Sequence, residues 1–326
     1  MRALRVHELG DPEDVLAEQD VEVPLPGPGQ VRIRVAAAAL NFADDLLCRG
    51  KYQVRPELPF TPGAEMVGEV VACGEGATVA IGERVMANAA FPHGAFAEEA
   101  LADERALYPA PDWLEDSHAA GMLVTYQTSY VALDRRAGLA AGETLLVHAG
   151  AGGVGSAAIQ LGVAMGARVI ATAGGADKVR VCERLGADLA IDYRSQDFVA
   201  LVNEATEGLG ANVIYDPVGG DTFDRSRKCI AWEGRILVVG FASGRIPEAP
   251  ANHAMVKNYS IVGVHIGGYH KFDPRYLQDV HQQLMQHYKD GQIEPLIHST
   301  IPLAEVPAAI ATLVRRGTVG KIIARP

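Results

Sequence analysis

One segment restricts the fold of this chain more than any other: Thr144–Gly162 reads TLLVHAGAGGVGSAAIQLG. An apolar run, Thr144–Ala149, meets a cluster of glycines and then Gly153–Gly166, where Val154, Ala158, Leu161 and Met165 recur at three- and four-residue steps. The period changes from that of a buried strand to that of a helix within a few residues. Gly150, Gly152 and Gly155 satisfy G-x-G-x-x-G, and Ala149, Gly152 and Gly155 satisfy A-x-x-G-x-x-G. In the strand–turn–helix context the glycines have separate tasks: Gly150 permits the tight turn, Gly152 lets backbone approach a pyrophosphate, and Gly155 lets helix pack on strand. The N–H groups that open the helix, from Gly153 and Val154, then face an anion. A dinucleotide-binding turn is the expectation, against a purely structural glycine bend.

The chain beyond the turn supports this. Strands are predicted at Arg168–Ala173, Leu189–Asp192, Val213–Asp216, Arg235–Gly240 and Tyr259–Val264. Helices are predicted at Asp177–Gly186, Gln196–Thr206 and Asp221–Ile230. Strict alternation of this kind means a doubly wound parallel sheet, an α/β fold of Rossmann type, with helices on both faces. Upstream the chain reads as β-rich and barrel-like. Val31, Ile33 and Val35 alternate with Arg32 and Arg34, short strands follow at Met66–Cys73 and Arg84–Ala87, and prolines and glycines punctuate them. Helices at Pro274–Asp290 and Leu303–Arg316 and a strand at Gly320–Ala324 cannot extend the alternation. The domain division is therefore 119–257 for the dinucleotide-binding domain, and 1–118 plus 258–326 for the other.

The type of cofactor is read at the end of the second strand. A site for the unphosphorylated nicotinamide dinucleotide places Asp or Glu there to hold a ribose hydroxyl. This chain has Ala171, Thr172, Ala173, Gly174 and Gly175, with no acid at the tip. Small residues leave room for a 2′-phosphate, Lys178 brings a point charge, and Tyr193 after the third strand brings a hydroxyl. NADPH is the expected cofactor, with Thr172, Gly174, Lys178 and Tyr193 around its adenosine end; Asp177 would weaken the discrimination if it turned back. Ligands of open α/β sheets lie outside the carboxyl ends of the strands. Val218 after the fourth strand, and Gly240, Phe241 and Ser243 after the fifth, are therefore expected to line the cofactor.

Composition narrows the partners. With 40 acidic and 29 basic residues in 326, the net charge is −11. Such a surface argues against nucleic acid and against an anionic membrane. No run reaches the ~18 apolar residues of a membrane span. The segment MRALRVHELGDPEDVL turns acidic where a secretory signal would be apolar, so a cytoplasmic location is expected. Cys48, Cys73, Cys182 and Cys229 are scattered, which predicts buried free thiols rather than disulfides or a four-thiolate zinc site. His118, His265, His270 and His281 have no ligand spacing.

The order of these parts resembles the medium-chain dehydrogenase/reductase superfamily over essentially the full length, and so do the stretches NFADDLLCRGKY (Asn41–Tyr52), PFTPGAEMVGEVVACG (Pro59–Gly74), GERV (Gly82–Val85) and GGVG (Gly152–Gly155). The resemblance implies that the β-rich domain is the GroES-like catalytic domain. Zinc-dependent members carry Cys at the place of Asn41 and Gly-His-Glu where this chain has Gly63-Ala64-Glu65. Glu65 alone does not make the three ligands a catalytic zinc needs, so no metal is expected. Asn41 in N-F-x-x-D, the A-x-x-G-x-x-G turn, Lys178 and Tyr193 resemble the zinc-free quinone oxidoreductase branch, also called zeta-crystallin-like.

That branch implies an NADPH-dependent, zinc-free reductase of quinones that forms a homodimer, and neighbouring branches reduce activated double bonds; the expected reaction is hydride transfer from NADPH to a quinone or conjugated enone. The edge strand at Ser260–Val264 independently invites pairing with a twin. Asn41 and Thr125 would reach the nicotinamide side, and Tyr52 is the candidate donor to the acceptor oxygen. Lys321 matches a basic position of the family pattern, although its own sequence context reads as a surface lysine. Asp44 is expected to be structural, and Ala89–Phe96 to wall the acceptor pocket. Two other readings stay open: an enoyl-thioester reductase using Arg49, Lys51 and Arg55 at a CoA entrance, and an NADPH-binding protein with little catalysis.

Overall fold

The computed structural model describes residues 1–326, which form two compact units: Met1–Val124 with Pro295–Pro326, and Thr125–Glu294.

In the first unit, strands β1 (Arg2–Val6) and β2 (Leu16–Asp20) form an antiparallel pair, with the short helix α1 (Pro12–Val15) between them. A seven-stranded sheet takes β3 (Gln30–Ala39), β4 (Glu65–Cys73), β5 (Arg84–Asn88), β6 (Glu99–Asp103) and β7 (Leu107–Pro109) from the N-terminal segment. It takes β14 (Ile297–Pro302) and β15 (Lys321–Arg325) from the C-terminal one. The order is β14-β15-β3-β4-β5-β7, with β6 also on β3. The alternation in β3 does what it predicts: Val31, Ile33 and Val35 are buried and Arg34 is exposed. They join Leu4, Phe60, Met66, Phe96, Val306 and Ile322 in one core. Helix α2 (Phe42–Cys48) leaves the end of β3, and α11 (Val306–Val314) packs near it. Helix α3 (Asp116–Tyr130) carries the chain across the unit boundary.

The second unit is a six-stranded, all-parallel sheet. Its strands are β8 (Thr144–Val147), β9 (Arg168–Ala173), β10 (Leu189–Asp192), β11 (Ala211–Asp216), β12 (Ile230–Val238) and β13 (Ser260–Gly263). They run in the order β10-β9-β8-β11-β12-β13. The connecting helices are α4 (Gly153–Ala164), α5 (Ala176–Arg184), α6 (Phe198–Ala205), α7 (Gly220–Ser226) and α8 (Ala251–Lys257). The order reverses between β8 and β11, so the turn after β8 lies at the switch point where open sheets of this kind take ligands.

The compact units divide at 124/125 and 294/295, whereas the sequence reading sets the domain boundaries at 118/119 and 257/258. The last strand of the parallel sheet, β13, begins only at Ser260, and helices α9 (Ile266–Phe272) and α10 (Pro274–Lys289) cluster with that sheet. They are held there by contacts such as Arg135 to Asp273 (2.7 Å) and Tyr276 to Asp134 (3.1 Å). Helix α7 also stops at Ser226 rather than Ile230, because residues from Ile230 onward already pair with β11. Three cysteines are buried and Cys73 is half-buried; all four are free. No helix is long and apolar enough to cross a membrane.

Candidate active site

In the second unit, Ala149 takes a left-handed backbone (φ 52°) directly after β8, and the Gly150 N–H donates to the Thr172 carbonyl at 2.9 Å. A Cβ on Gly155 would stand 2.2 Å from the Ala149 carbonyl oxygen, and one on Gly150 2.8 Å from Cys182 Sγ. Gly155 is therefore required by backbone contact, whereas a side chain at Gly150 would have to displace buried side chains. Gly152 is the N-cap of α4 and supplies no side-chain cap. The N–H groups of Gly153, Val154 and Gly155 begin the helix, where intrahelical acceptors are lacking. The helix dipole adds to their attraction for an anion.

The tip of β9 is assembled from three elements. A Cβ on Gly174 would meet the Tyr193 hydroxyl at 2.6 Å and Arg194 Nε at 3.1 Å. Lys178 occupies the first turn of α5 and is half-buried. Asp177 points away: its side chain is 92% exposed and pairs with Arg180. The sequence reading missed Arg194 and Asp192. Asp192 Oδ1 accepts from the Gly175 N–H (2.9 Å) and the Arg194 N–H (3.0 Å), and these bonds hold its carboxyl below the usual range. It thus shapes the turn that brings Arg194 and Tyr193 over Gly174. Their adjacency to Tyr193 was the available signal.

Thr172 differs from its expected part. It is buried, and its hydroxyl faces inward to His148 Nδ1 at 3.0 Å. Its backbone carbonyl, not its side chain, shapes the turn. Val218 accepts from the Ser243 N–H at 2.9 Å, which ties the β11 and β12 loops together. A Cβ on Gly219 would meet the Phe241 ring at 2.9 Å. Gly240 and Phe241 follow β12 as expected, whereas the Ser243 hydroxyl is taken up near the Arg245 backbone (3.4 Å). Thr125 is buried in α3.

In the first unit, sheet register gathers residues far apart in sequence. Ala39 pairs with Glu65 on one side and with Ile323 on the other, so Asn41, Glu65 and Lys321 meet at one end of β3. Lys321 is not a surface residue: its side chain is 5% exposed. Its Nζ donates to the Leu40 carbonyl (2.7 Å), Asn41 Oδ1 (2.7 Å) and Glu65 Oε1 (2.9 Å). Glu65 is fully buried; its Oε1 also accepts from Asn41 Nδ2 (2.9 Å) and its Oε2 from the Val124 N–H (2.7 Å). A buried ammonium and carboxylate are tolerated together because each satisfies the other.

Asp44 is structural, through backbone. Its carboxylate accepts from the N–H groups of Asn41 (2.7 Å) and Gly63 (3.3 Å). Burial pushes its carboxyl up to about 7, against those bonds and the charge of Lys321. Tyr52 is half-buried against the core, and its hydroxyl has no hydrogen-bond partner in the protein. Burial, followed by the Asp44 charge, raises its ionisation point, so it stays protonated. Ala89 and Phe91 pack on the same core. Arg49 is committed to Asp11 (2.6 Å) and Asp45 (2.8 Å), which leaves Lys51 and Arg55 as exposed loop residues.

Residues 27–112 match the family described as alcohol dehydrogenase GroES-like domain, and residues 153–282 match zinc-binding dehydrogenase. A quinone oxidoreductase-like protein 2 homolog from Nematostella vectensis is 40% identical over 99% of this chain and 88% of its own length. The chain belongs to the medium-chain dehydrogenase/reductase superfamily, in its quinone oxidoreductase-like branch. Human quinone oxidoreductase is 31% identical over 99% of this chain and 97% of its own length. A mycobacterial protein solved in complex with NADPH is 32% identical and superimposes with a TM-score of 0.94, covering the whole of both chains.

The zinc in the second family's description does not fit the residues here. Both Glu65 oxygens are taken by an ammonium, a carboxamide and a backbone N–H, and a lysine ammonium is no ligand. No group of three His, Cys, Asp or Glu side chains converges anywhere in the chain.

Proposed function

We propose that this protein is an NADPH-dependent reductase that passes a hydride to a quinone or conjugated enone without a metal. The observation that carries this reading is the β9 tip, where Tyr193 and Arg194 close over Gly174, Lys178 follows in the first turn of α5, and the nearby carboxylate, Asp192, accepts backbone N–H groups through Oδ1. A 2′-phosphate suits such a set; a ribose hydroxyl asks for a free carboxylate. The glycine turn and the first N–H groups of α4 would hold the pyrophosphate. When bound, the cofactor supplies a hydride from nicotinamide C4.

The chain's own residues then have a limited task. A simple carbonyl wants a Lewis acid, whereas a quinone or enone spreads the incoming charge over its own conjugated system. Positioning and one proton remain to be supplied. Tyr52, neutral and without a partner, is suited to donate its O–H to the oxygen that gains charge, with water restoring the proton. Thr125, Gly240 and Phe241 are assigned to the nicotinamide end. The exposed edge of β13 supports a homodimer built by strand pairing.

The test is NADPH oxidation with 1,4-benzoquinone, a conjugated enone and crotonyl-CoA side by side. Turnover is expected with the first two and not with the thioester, whose entrance is left with only Lys51 and Arg55. Preference for crotonyl-CoA would favour the enoyl-thioester reading. Binding of NADPH without turnover of any acceptor would favour the non-catalytic one, and NADH serving as well as NADPH would remove the 2′-phosphate argument.

A further inference from the structure

The first unit holds a cavity of about 190 Å3 whose residues the proposed reaction does not use. Strand β1 builds it by passing between two loops. The Leu4 N–H donates to the Phe96 carbonyl (2.9 Å) and the Val6 N–H to the Phe60 carbonyl (2.8 Å), and Thr61 bridges to His93 beside them. This register brings Arg5, Thr61 and His93 around the cavity. Arg5 is the unusual member. Arg2 in β1 and Arg32 and Arg34 in β3 pair with Glu98, Glu99 and Glu69. Arg5 has no carboxylate partner: Nη1 donates to Thr61 Oγ1 (3.2 Å) and Nη2 to the Pro59 carbonyl (2.7 Å). A guanidinium carries five N–H groups, so most of its donors remain. Burial lowers its ionisation point with no acid opposing. The half-buried His93 ring makes no hydrogen bond within the protein, and burial, then the Arg5 charge, lowers its ionisation point. Thr61 accepts from Arg5, which leaves its own hydroxyl hydrogen to give. Two carboxylates line the cavity as well, but Glu99 is held by Arg32 at 2.7 Å and Glu22 is exposed.

We infer that this cavity is a binding site for a small aliphatic monocarboxylate. A guanidinium meets a carboxylate with two parallel N–H bonds, and Thr61 and His93 each add a donor. Val21, Gly94 and Ala97 leave the remaining wall to an apolar tail. At ~30 Å3 per water the volume equals roughly six waters, the room a short acid needs. A ligand with a second negative charge, such as phosphate, would face Glu22 and Glu99. His93 ties the site to pH. A bound carboxylate offsets the repulsion from Arg5, so the ring takes up a proton and affinity rises as pH falls. Arg5, Glu22, Glu99 and the Met1 amino group, which donates to the Val21 carbonyl (2.9 Å), are the other charged groups at the cavity. The inference does not rest on the NADPH reading.

The test is equilibrium dialysis of radiolabelled butyrate at pH 6 and pH 8, with butyramide and inorganic phosphate as competitors. Wild type is expected to bind at one saturable site, severalfold tighter at pH 6, and neither competitor should displace the acid. Arg5→Met should weaken binding by at least about tenfold, the loss of a charge-assisted contact. His93→Phe should keep binding and lose its pH dependence, which separates the ring from the Met1 amino group. Absence of saturable binding to wild type overturns the inference, as does undiminished binding to Arg5→Met. Equal affinity at the two pH values, or displacement by phosphate as effective as by butyrate itself, also overturns it. Arg5 ties β1 to Pro59, so a second variant guards against misfolding. Val21→Trp fills the cavity from a half-buried position and should abolish binding while its far-ultraviolet circular dichroism matches wild type. Full binding to that folded variant overturns the inference.

Discussion

At the scale of single residues, two buried titratable groups set the acid behaviour of this protein in opposite directions. His148 is fully buried between Thr172 Oγ1 (3.0 Å) and Ser226 Oγ (2.8 Å), edge-on to the Phe198 ring at 5.0 Å. Burial, with the Arg225 charge adding to it, pushes the imidazole down to about 3. Its contribution to stability is therefore complete above the unfolded value of about 6.5 and is lost as pH falls toward 3. Asp44 runs the other way. With its carboxyl raised to about 7, the cost of burying its charge is full above that pH and is relieved as pH falls toward the unfolded value of about 3.9. Each group changes stability by up to about 1.4 kcal/mol per pH unit. Urea midpoints at pH 7, 6 and 5 separate them. Asp44→Asn should lose stability toward acid more steeply than wild type, and His148→Gln less steeply. Slopes parallel to wild type in both variants would refute this account. Neither group's environment was legible in sequence: His148 looks like any residue at a strand end, and its partners lie 24 and 78 positions away.

At the scale of elements, the parallel sheet was the most legible part. Arg168–Ala173 and Leu189–Asp192 end where their apolar runs end, because a strand buried under helices carries its boundaries in composition. Legibility failed where partners distant in sequence decide. Lys321 reads as an ordinary lysine until the β15–β3–β4 register sets it on Glu65. Asp192 and Arg194 gain their place only when β10 lies beside β9. The β9 tip makes a specific prediction. Lys178→Ala and Arg194→Ala should each weaken NADPH binding about tenfold and leave NADH binding unchanged, the cost of one charge-assisted contact to phosphate. Equal effects on the two cofactors would show that these side chains do not read the phosphate. The β13 edge makes another. Ser260 and Ile261 are exposed, Ile261 by 39%, and Met255 and Val256 of α8 are exposed close by in sequence. A dimer is expected in light scattering at micromolar protein, and Ile261→Lys should yield a monomer. A monomeric wild type would remove the strand-pairing proposal.

At the scale of the whole molecule, ligand linkage supplies a test that needs no acceptor. NADPH at a hundred times its dissociation constant should stabilise the folded protein by about 2.7 kcal/mol. That raises the unfolding midpoint by several degrees. NADH at the same concentration should raise it less, and identical shifts would count against selectivity. The net charge of −11 makes salt a useful control, because a shift that vanishes on modest ionic strength would point to general screening rather than a site.

The return of the chain's last strands to the first unit also orders events on the ribosome. Glu65 is translated 256 residues before its counter-ion Lys321. At about 5–20 residues per second, that is a delay of roughly 13–51 s. Throughout that interval the N-terminal segment has neither β15 nor the ammonium its carboxylate requires, while Thr125–Glu294 emerges as one uninterrupted stretch. The later-made unit is thus the first able to close, and the nascent N-terminal portion waits, with a half-built sheet edge on which chaperones have time to act.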